Sequence, residues 1–279
     1  MRTLSLGIST CPNDTFTFDA MVNGKTDTGG IDFDCRLTDV EELNRQAFRA
    51  EVDITKISYH AYAYVSDEYI LLNSGSALGF NNGPLLVAER EMPAKDLAGK
   101  KIAIPGRYTT ANLLLGIIYP YLTLREEYLF SDIEDIVLKG EAGAGLLIHE
   151  NRFTYSDKGL HRISDLGEEW QELTSMPIPL GGIAVKRSLG PDVAEQLDKM
   201  LAASIDYAYN NPDSSYDFVK KYAASMERDV MQKHINLYVN DFSRNLGERG
   251  REAVKILYDR ADATGALPAI REDIFTGIH

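Results

Sequence analysis

Cysteine, tryptophan, basic charge and long apolar runs are all scarce in this 279-residue chain. Cys11 and Cys35 are its two cysteines. Two thiols make no disulfide framework, so the expectation is a reduced, cytoplasmic protein. Cys11 stands before Pro12 near a strand end, where an unactivated thiol is the commoner case and a reactive one the alternative. No stretch approaches the roughly 18 apolar residues of a membrane span. The start, MRTLSLGISTCPNDTF, breaks its short apolar run with Ser, Thr, Pro, Asn and Asp, which is not the pattern of a signal peptide. Lys and Arg number 29 against 42 Asp and Glu, a net charge of −13. That balance excludes general attraction to nucleic acid or anionic lipid, and an anion needs a local site built for it. There is no HExxH or paired-cysteine ligand spacing, no P-loop, no GxSxG elbow, and no GxGxxG after a strand. Metal binding and nucleotide hydrolysis are therefore unsupported.

What is present is ordinary for a globular protein: 44% hydrophobic residues, enough for a sizeable core. The length suggests two domains of roughly 140 residues. Leu4 to Ile8 alternates as a strand, and Asp14 is placed to cap the helix TFTFDAMVNG, which Gly24 ends. Ile31 to Leu37 reads as a second strand, and Thr38 with Glu41 as a capping box for EELNRQAFRA. DITKIS is a third strand, YHAYAYV a turn or two of helix, YILLNSG another strand. This order predicts an open α/β sheet with parallel strands. SGSALGFNNG reads as a loop before the strand GPLLVAE. PAKDLAGK, KIAIPG, RYTTANLLLGIIYPYL, SDIEDIVLKG (boxed by Ser131 and Glu134) and AGLLIHE make a second α/β unit. IPLGGIAVKRS returns as an apolar strand, and from Pro191 the chain is mostly helical. The expected architecture is two lobes joined by two crossing strands: residues 1–87 with 180–279, and 88–179. A ligand of such a fold sits at the carboxyl ends of strands, in the cleft between lobes.

Three strand ends carry polar residues toward that cleft. DITKIS ends on Ser58, KIAIPG runs into Arg107, Thr109 and Thr110, and GLLIHENRFTY puts His149 and Glu150 after four apolar residues. Ser58 either caps the next helix or holds a ligand carboxylate with the helix amides. Lys56 shares its strand face and either adds positive charge or is a solvated end. One threonine of the pair is an N-cap; both together make an anion seat. His149 is either a satisfied histidine at a strand end or a general base, since an imidazole titrates near pH 6.5. Glu150 points the opposite way if the strand continues. His60, His161, His234 and His279 have no comparable setting.

The blocks STCPNDTFTFDAMVNG, KISYHAYAYV, SGSALGFNNGPLLVA, PGRYTTANLLL, GLLIHENRFTY, IPLGGIAVKR and YVNDFSRNLGERGREAV together resemble the 1,4-dihydroxy-6-naphthoate synthase family of the futalosine route to menaquinone. They occur in the family's order across nearly the whole chain, and CPNDTF with GLLIHENRFTY is the specific pair. The resemblance implies a periplasmic-binding-protein-like type II fold without an export signal. It implies a lyase acting on cyclic dehypoxanthinyl futalosine, a small-molecule carboxylate, with no metal or organic cofactor. It makes His149 the proton acceptor, and Lys56, Ile57, Ser58, Thr109, Thr110 and Ala111 substrate contacts, with Asn44 also reaching the ligand. Two rivals are a solute-binding protein and the sister enzyme chorismate dehydratase; CPNDTF and GLLIHE favour the naphthoate enzyme. A homodimer is the default for a soluble enzyme of this size.

Overall fold

A computed structural model of the chain describes residues 2–149, 151–223, 227–263, 265 and 267–277. Its strands are β1 (Arg2–Ser9), β2 (Ile31–Thr38), β3 (Ile54–Ser58), β4 (Tyr69–Leu71), β5 (Ala77–Gly79) and β6 (Leu85–Ala88), then β7 (Ile102–Ile104), β8 (Arg125–Glu127), β9 (Ala144–Leu147), β10 (His161–Asp165) and β11 (Ile178–Lys186). The helices of the first part are α1 (Pro12–Val22), α2 (Val40–Phe48) and α3 (Tyr59–Tyr62). Those of the middle are α4 (Thr110–Ile118), α5 (Ile133–Leu138), α6 (Asn151–Thr154) and α7 (Leu166–Thr174). The last third carries α8 (Pro191–Asn210), α9 (Tyr216–Tyr222), α10 (Arg228–Tyr238), α11 (Asp241–Arg244) and α12 (Gly247–Asp262).

Two sheets form. The first has the order β2-β1-β3-β11-β4, with β5 also on β11; the second has the order β10-β6-β9-β7-β8. β1 is parallel to β2 and β3, as the βαβα rhythm predicts. β11 is antiparallel to β3 and β4. The chain re-enters the first sheet from the other lobe, at the end where β1 and β3 leave it, so it must run back. At the crossing, β5 pairs antiparallel with the start of β11, Ala77 opposite Gly181. All five residues of β3 are buried, because β3 is a central strand of this mixed sheet and helices cover both faces. The first sheet packs against α1 and α8 through Leu6, Ile8, Phe18, Leu197 and Leu201. A second core around Leu114, Leu146, Trp170 and Leu257 runs from the middle lobe to α12.

Several local expectations shift by a residue or two. Cys11 is the N-cap position of α1 and Pro12 its first residue, where a missing N–H costs nothing; Asp14 lies inside the first turn and does not cap. Asp39, not Thr38, caps α2, accepting from Glu41 N. Asp132 sits at the cap of α5 without a side-chain capping bond, its carboxylate instead accepting from Ser131 Oγ, and Glu134 accepts from Asn151 and Lys158. PAKDLAGK holds only a 3-10 turn, and the Gly-rich loop contains β5. β9 stops at Leu147, so His149 is not on a strand. Glu150 and His279 lie outside the described residues. Among the described residues no helix is long and apolar enough to cross a membrane.

Candidate active site

A cleft of about 660 Å³, open at its mouth, lies where β1, β3 and β9 end, and α10 and the N-terminus of α4 complete its wall. Two polar clusters line it. The first surrounds Ser58. Its backbone N–H donates to Asn44 Oδ1 at 3.0 Å, and Asn44 Nδ2 donates back to Ser58 Oγ at 3.2 Å. The hydroxyl does not cap α3. With a lone pair of Oγ taken by Asn44, its hydrogen is free for an acceptor in the cleft. Asn44 itself is fully buried behind Ser58 and does not line the cleft. Its amide also donates to Glu41 Oε2 at 3.1 Å, and Glu41 Oε1 accepts from Tyr108 N of the other lobe at 3.2 Å. Gly106 makes room for this: a Cβ there would lie 2.6 Å from Glu41 Oε2. Burial pushes the Glu41 carboxyl up to about 7, against the lowering effect of the Asn44 and Tyr108 bonds.

Both threonine hydroxyls are already engaged. Thr109 caps α4, accepting from Asn112 N and donating to Gly106 O at 2.8 Å. Thr110 donates to Leu180 O at 2.5 Å and accepts from His60 N at 3.3 Å, tying the two lobes together. What this segment can offer an anion is therefore backbone: the N–H groups of Thr110 and Ala111 have no partner inside the helix. Ile57 is fully buried and adds wall. Lys56 is no solvated end. It is 6% exposed, with Nζ 2.9 Å from Asp14 Oδ1 and 3.5 Å from Gly75 O. Asp14 also accepts from Ser9 Oγ at 2.7 Å and Asn13 Nδ2 at 2.8 Å, so the buried carboxylate is well supplied with donors. Arg107 is exposed and off the cleft; its N–H donates to Glu127.

The second cluster surrounds His149. Its φ is +58°, the left-handed region that a Cβ disfavours. Its Nδ1 lies 3.2 Å from Cys11 Sγ. In the tautomer whose proton is on Nδ1, the ring donates to sulfur and Nε2 keeps a lone pair that can accept a proton. Phe130 meets the ring edge-on at 5.0 Å, and His234 stacks beside it at 6.3 Å and 24°. His234, which its sequence setting does not single out, lines the cleft, fully buried, and neither ring nitrogen has a hydrogen-bond partner among the described residues. Burial, with the charges of His149, Arg152 and Lys56, holds His234 well below the usual imidazole range, so its ring is neutral. The signal was available: Met231, His234, Ile235 and Tyr238 form one buried stripe of α10, and a histidine on such a stripe asks for a partner. Asn82, in the Gly- and Asn-rich segment, is also fully buried on the cleft wall, and neither amide atom has a partner among the described residues. Arg152 steadies this side by bonding Asp165 at 3.0 Å and Gly83 O. His60 packs behind α4, bonded to Thr109 O, and burial pushes it down to about 4; His161 is exposed. Among the described residues no three His, Cys, Asp or Glu side chains are grouped to hold a metal ion.

A family model described as menaquinone biosynthesis matches residues 4–263. The chain is 42% identical over 272 residues to a Thermus thermophilus protein named 1,4-dihydroxy-6-naphthoate synthase, covering 97% of this chain and 98% of that one. A solved structure of an Archaeoglobus fulgidus protein, 39% identical, matches with a TM-score of 0.90 over 95% of this chain and 98% of that one. The periplasmic aliphatic sulphonate binding protein of Escherichia coli is only 11% identical, yet matches with a TM-score of 0.67 over 98% of this chain and 92% of that one; it shares the fold alone. Alike in sequence over nearly its whole length, the chain belongs to the menaquinone biosynthesis family of enzymes, built on the two-lobed fold of periplasmic binding proteins.

Proposed function

We propose that the protein is a lyase that splits cyclic dehypoxanthinyl futalosine into 1,4-dihydroxy-6-naphthoate and a dihydroxyacetone-type fragment, with His149 as general base. The observation that carries this reading is the contact of His149 Nδ1 with Cys11 Sγ, which leaves Nε2 for a proton, in a cleft that also holds a carboxylate seat. The benzoate-type carboxylate of the substrate sits on the amides of Thr110 and Ala111, the Ser58 hydroxyl and the Lys56 ammonium. Ile57, Ile148 and Leu180 cover its rings. Asn44 acts through Ser58 and does not touch the ligand. Proton removal by His149 opens the sugar-derived ring by breaking its carbon–oxygen bond to the departing carbons and frees an electron pair that breaks one carbon–carbon bond and passes into the remaining ring, which becomes aromatic. The proton returns to the leaving fragment, so the atoms of the two products sum to the substrate and no oxidant enters. The lobes, 1–87 with 180–279 and 88–179, close on the substrate about the crossing strands.

The test is product formation from this substrate, followed by mass spectrometry, for the wild type and His149→Ala. The expected result is naphthoate from the wild type and bound, unchanged substrate in the variant. Binding without turnover by the wild type would favour a capture protein, and turnover of chorismate instead would favour the dehydratase.

A further inference from the structure

We propose that Asn82 and His234 form a subsite for the hydroxylated, uncharged part of the ligand, the part that departs as the three-carbon fragment. This rests on the reading above, in which the carboxylate lies at Ser58 and α4. Asn82 and His234 line the same cleft, and each is fully buried. Nδ2 and Oδ1 of Asn82 and both ring nitrogens of His234 lack a hydrogen-bond partner among the described residues. Buried polar groups are nearly always paired, so four unpaired atoms in one cavity point to a ligand.

The neighbouring Asn240 is a built-in control. Its amide donates to Leu78 O at 2.9 Å and accepts from Phe242 N at 2.9 Å. Gly79 lies against both asparagines: a Cβ there would come within 2.9 Å of Asn82 Nδ2 and 3.1 Å of Asn240 Nδ2. One asparagine is structural, and the other lines the cleft with no hydrogen-bond partner among the described residues.

The chemistry selects the ligand class. An amide and a neutral imidazole each offer both a donor and an acceptor. A carboxylate would use only donors, and an ammonium only acceptors; a hydroxyl uses both. His234 stacks beside His149, so hydroxyl groups held there lie next to the proposed base.

Calorimetric titration of the inert His149→Ala protein tests the proposal. One ligand is cyclic dehypoxanthinyl futalosine; the other is 1,4-dihydroxy-6-naphthoate, which keeps the carboxylate and rings and lacks the three-carbon part. Adding Asn82→Leu or His234→Phe is expected to weaken the first ligand about tenfold or more, since unmatched hydroxyls discriminate strongly, and to leave the second within about twofold. Ser58→Ala should weaken both. Equal effects of Asn82→Leu and His234→Phe on both ligands, or none on either, overturn the subsite alone. If the parent binds neither ligand, the reading of the reaction fails and the subsite's assignment with it. In the unliganded protein Asn82→Leu should also raise Tm, because an unpaired amide gives way to an apolar group of similar size; a fall would mean the amide is bonded in the fold and would overturn the proposal.

Discussion

The two polar clusters of the cleft follow opposite rules. Around Ser58, Asn44, Thr109 and Thr110, nearly every side-chain donor already has a protein partner, and those bonds cross between α2, β3, α4 and β11. Around His149, the backbone sits at φ +58°, and the side chains of His234 and Asn82 are buried without hydrogen-bond partners among the described residues. A buried hydrogen bond contributes about 1 kcal/mol net, whereas an unpaired buried polar group costs about 1–3 kcal/mol. The first cluster therefore stabilises the empty protein and presents its remaining donors in fixed positions. The second destabilises the empty protein and finds its partners when a ligand arrives. The difference separates seating from chemistry: a seat gains from being rigid in advance, and a reactive centre keeps its polar groups uncommitted.

The largest effect expected from breaking this contrast is at His149. His149→Ala should lower kcat by about 10²–10⁴, the usual contribution of a positioned base, while substrate Kd stays within about twofold. If Kd moved and kcat did not, His149 would belong with the seat, and the division between clusters would fail.

The next effect tests the seat from behind. Asn44→Leu removes both bonds to Ser58 without touching the cleft wall. Calorimetry should show substrate and naphthoate weakened together, each by about tenfold, as expected for a freed hydroxyl and a misplaced amide. An unchanged naphthoate affinity would mean that Ser58 holds its position unaided.

Cys11→Ala sharpens the second cluster on a smaller scale. The thiol lies 3.2 Å from Nδ1 of His149, and on the proposed reading it positions the ring. Its loss should cut kcat a few-fold and displace the acid limb of the pH–rate profile, with KM little changed; Cys11→Ser should recover part of the loss. A drop in kcat with an unmoved pH profile would reduce Cys11 to packing.

Much of this was legible beforehand, for identifiable reasons. The strands were written in short β-branched or apolar runs such as ITKIS and IPLGGIAVK, and the helices of the last third in clear 3.6-residue stripes. Ser58, Thr109, Thr110 and His149 stood out because each follows an apolar run. Caps were less legible: Thr38 and Asp39 are both good caps, and only backbone geometry chooses Asp39. Asn44 had no local sign of its place, because it is defined by Ser58, fourteen residues away. His234 and Asn82 were missed for a related reason. Sequence shows which polar residues lie near apolar ones, and it does not show which lack a partner; that depends on what the whole fold brings within reach.

The effect expected to touch turnover least concerns Glu41, where the well-bonded cluster carries a cost in stability. Its carboxyl is pushed up to about 7 from an ordinary 4.5, chiefly by burial beneath Gly106. The folded chain thus holds a proton there that the unfolded chain has released. The associated stability is fully present below pH 4.5 and is lost as pH rises through about 7. At about 1.4 kcal/mol per unit, the change is on the order of 3 kcal/mol. Glu41→Gln cannot titrate. Compared with it, the wild type should lose several degrees of Tm between pH 5 and pH 8, as read by scanning calorimetry. Parallel slopes would show that the carboxyl is ionised throughout and that Asn44 and Tyr108 offset its burial. A steeper wild-type slope would mean that the seat, stable as it is, loosens between the lobes as the pH rises, since Glu41 joins α2 to Tyr108 and, through Asn44, to Ser58.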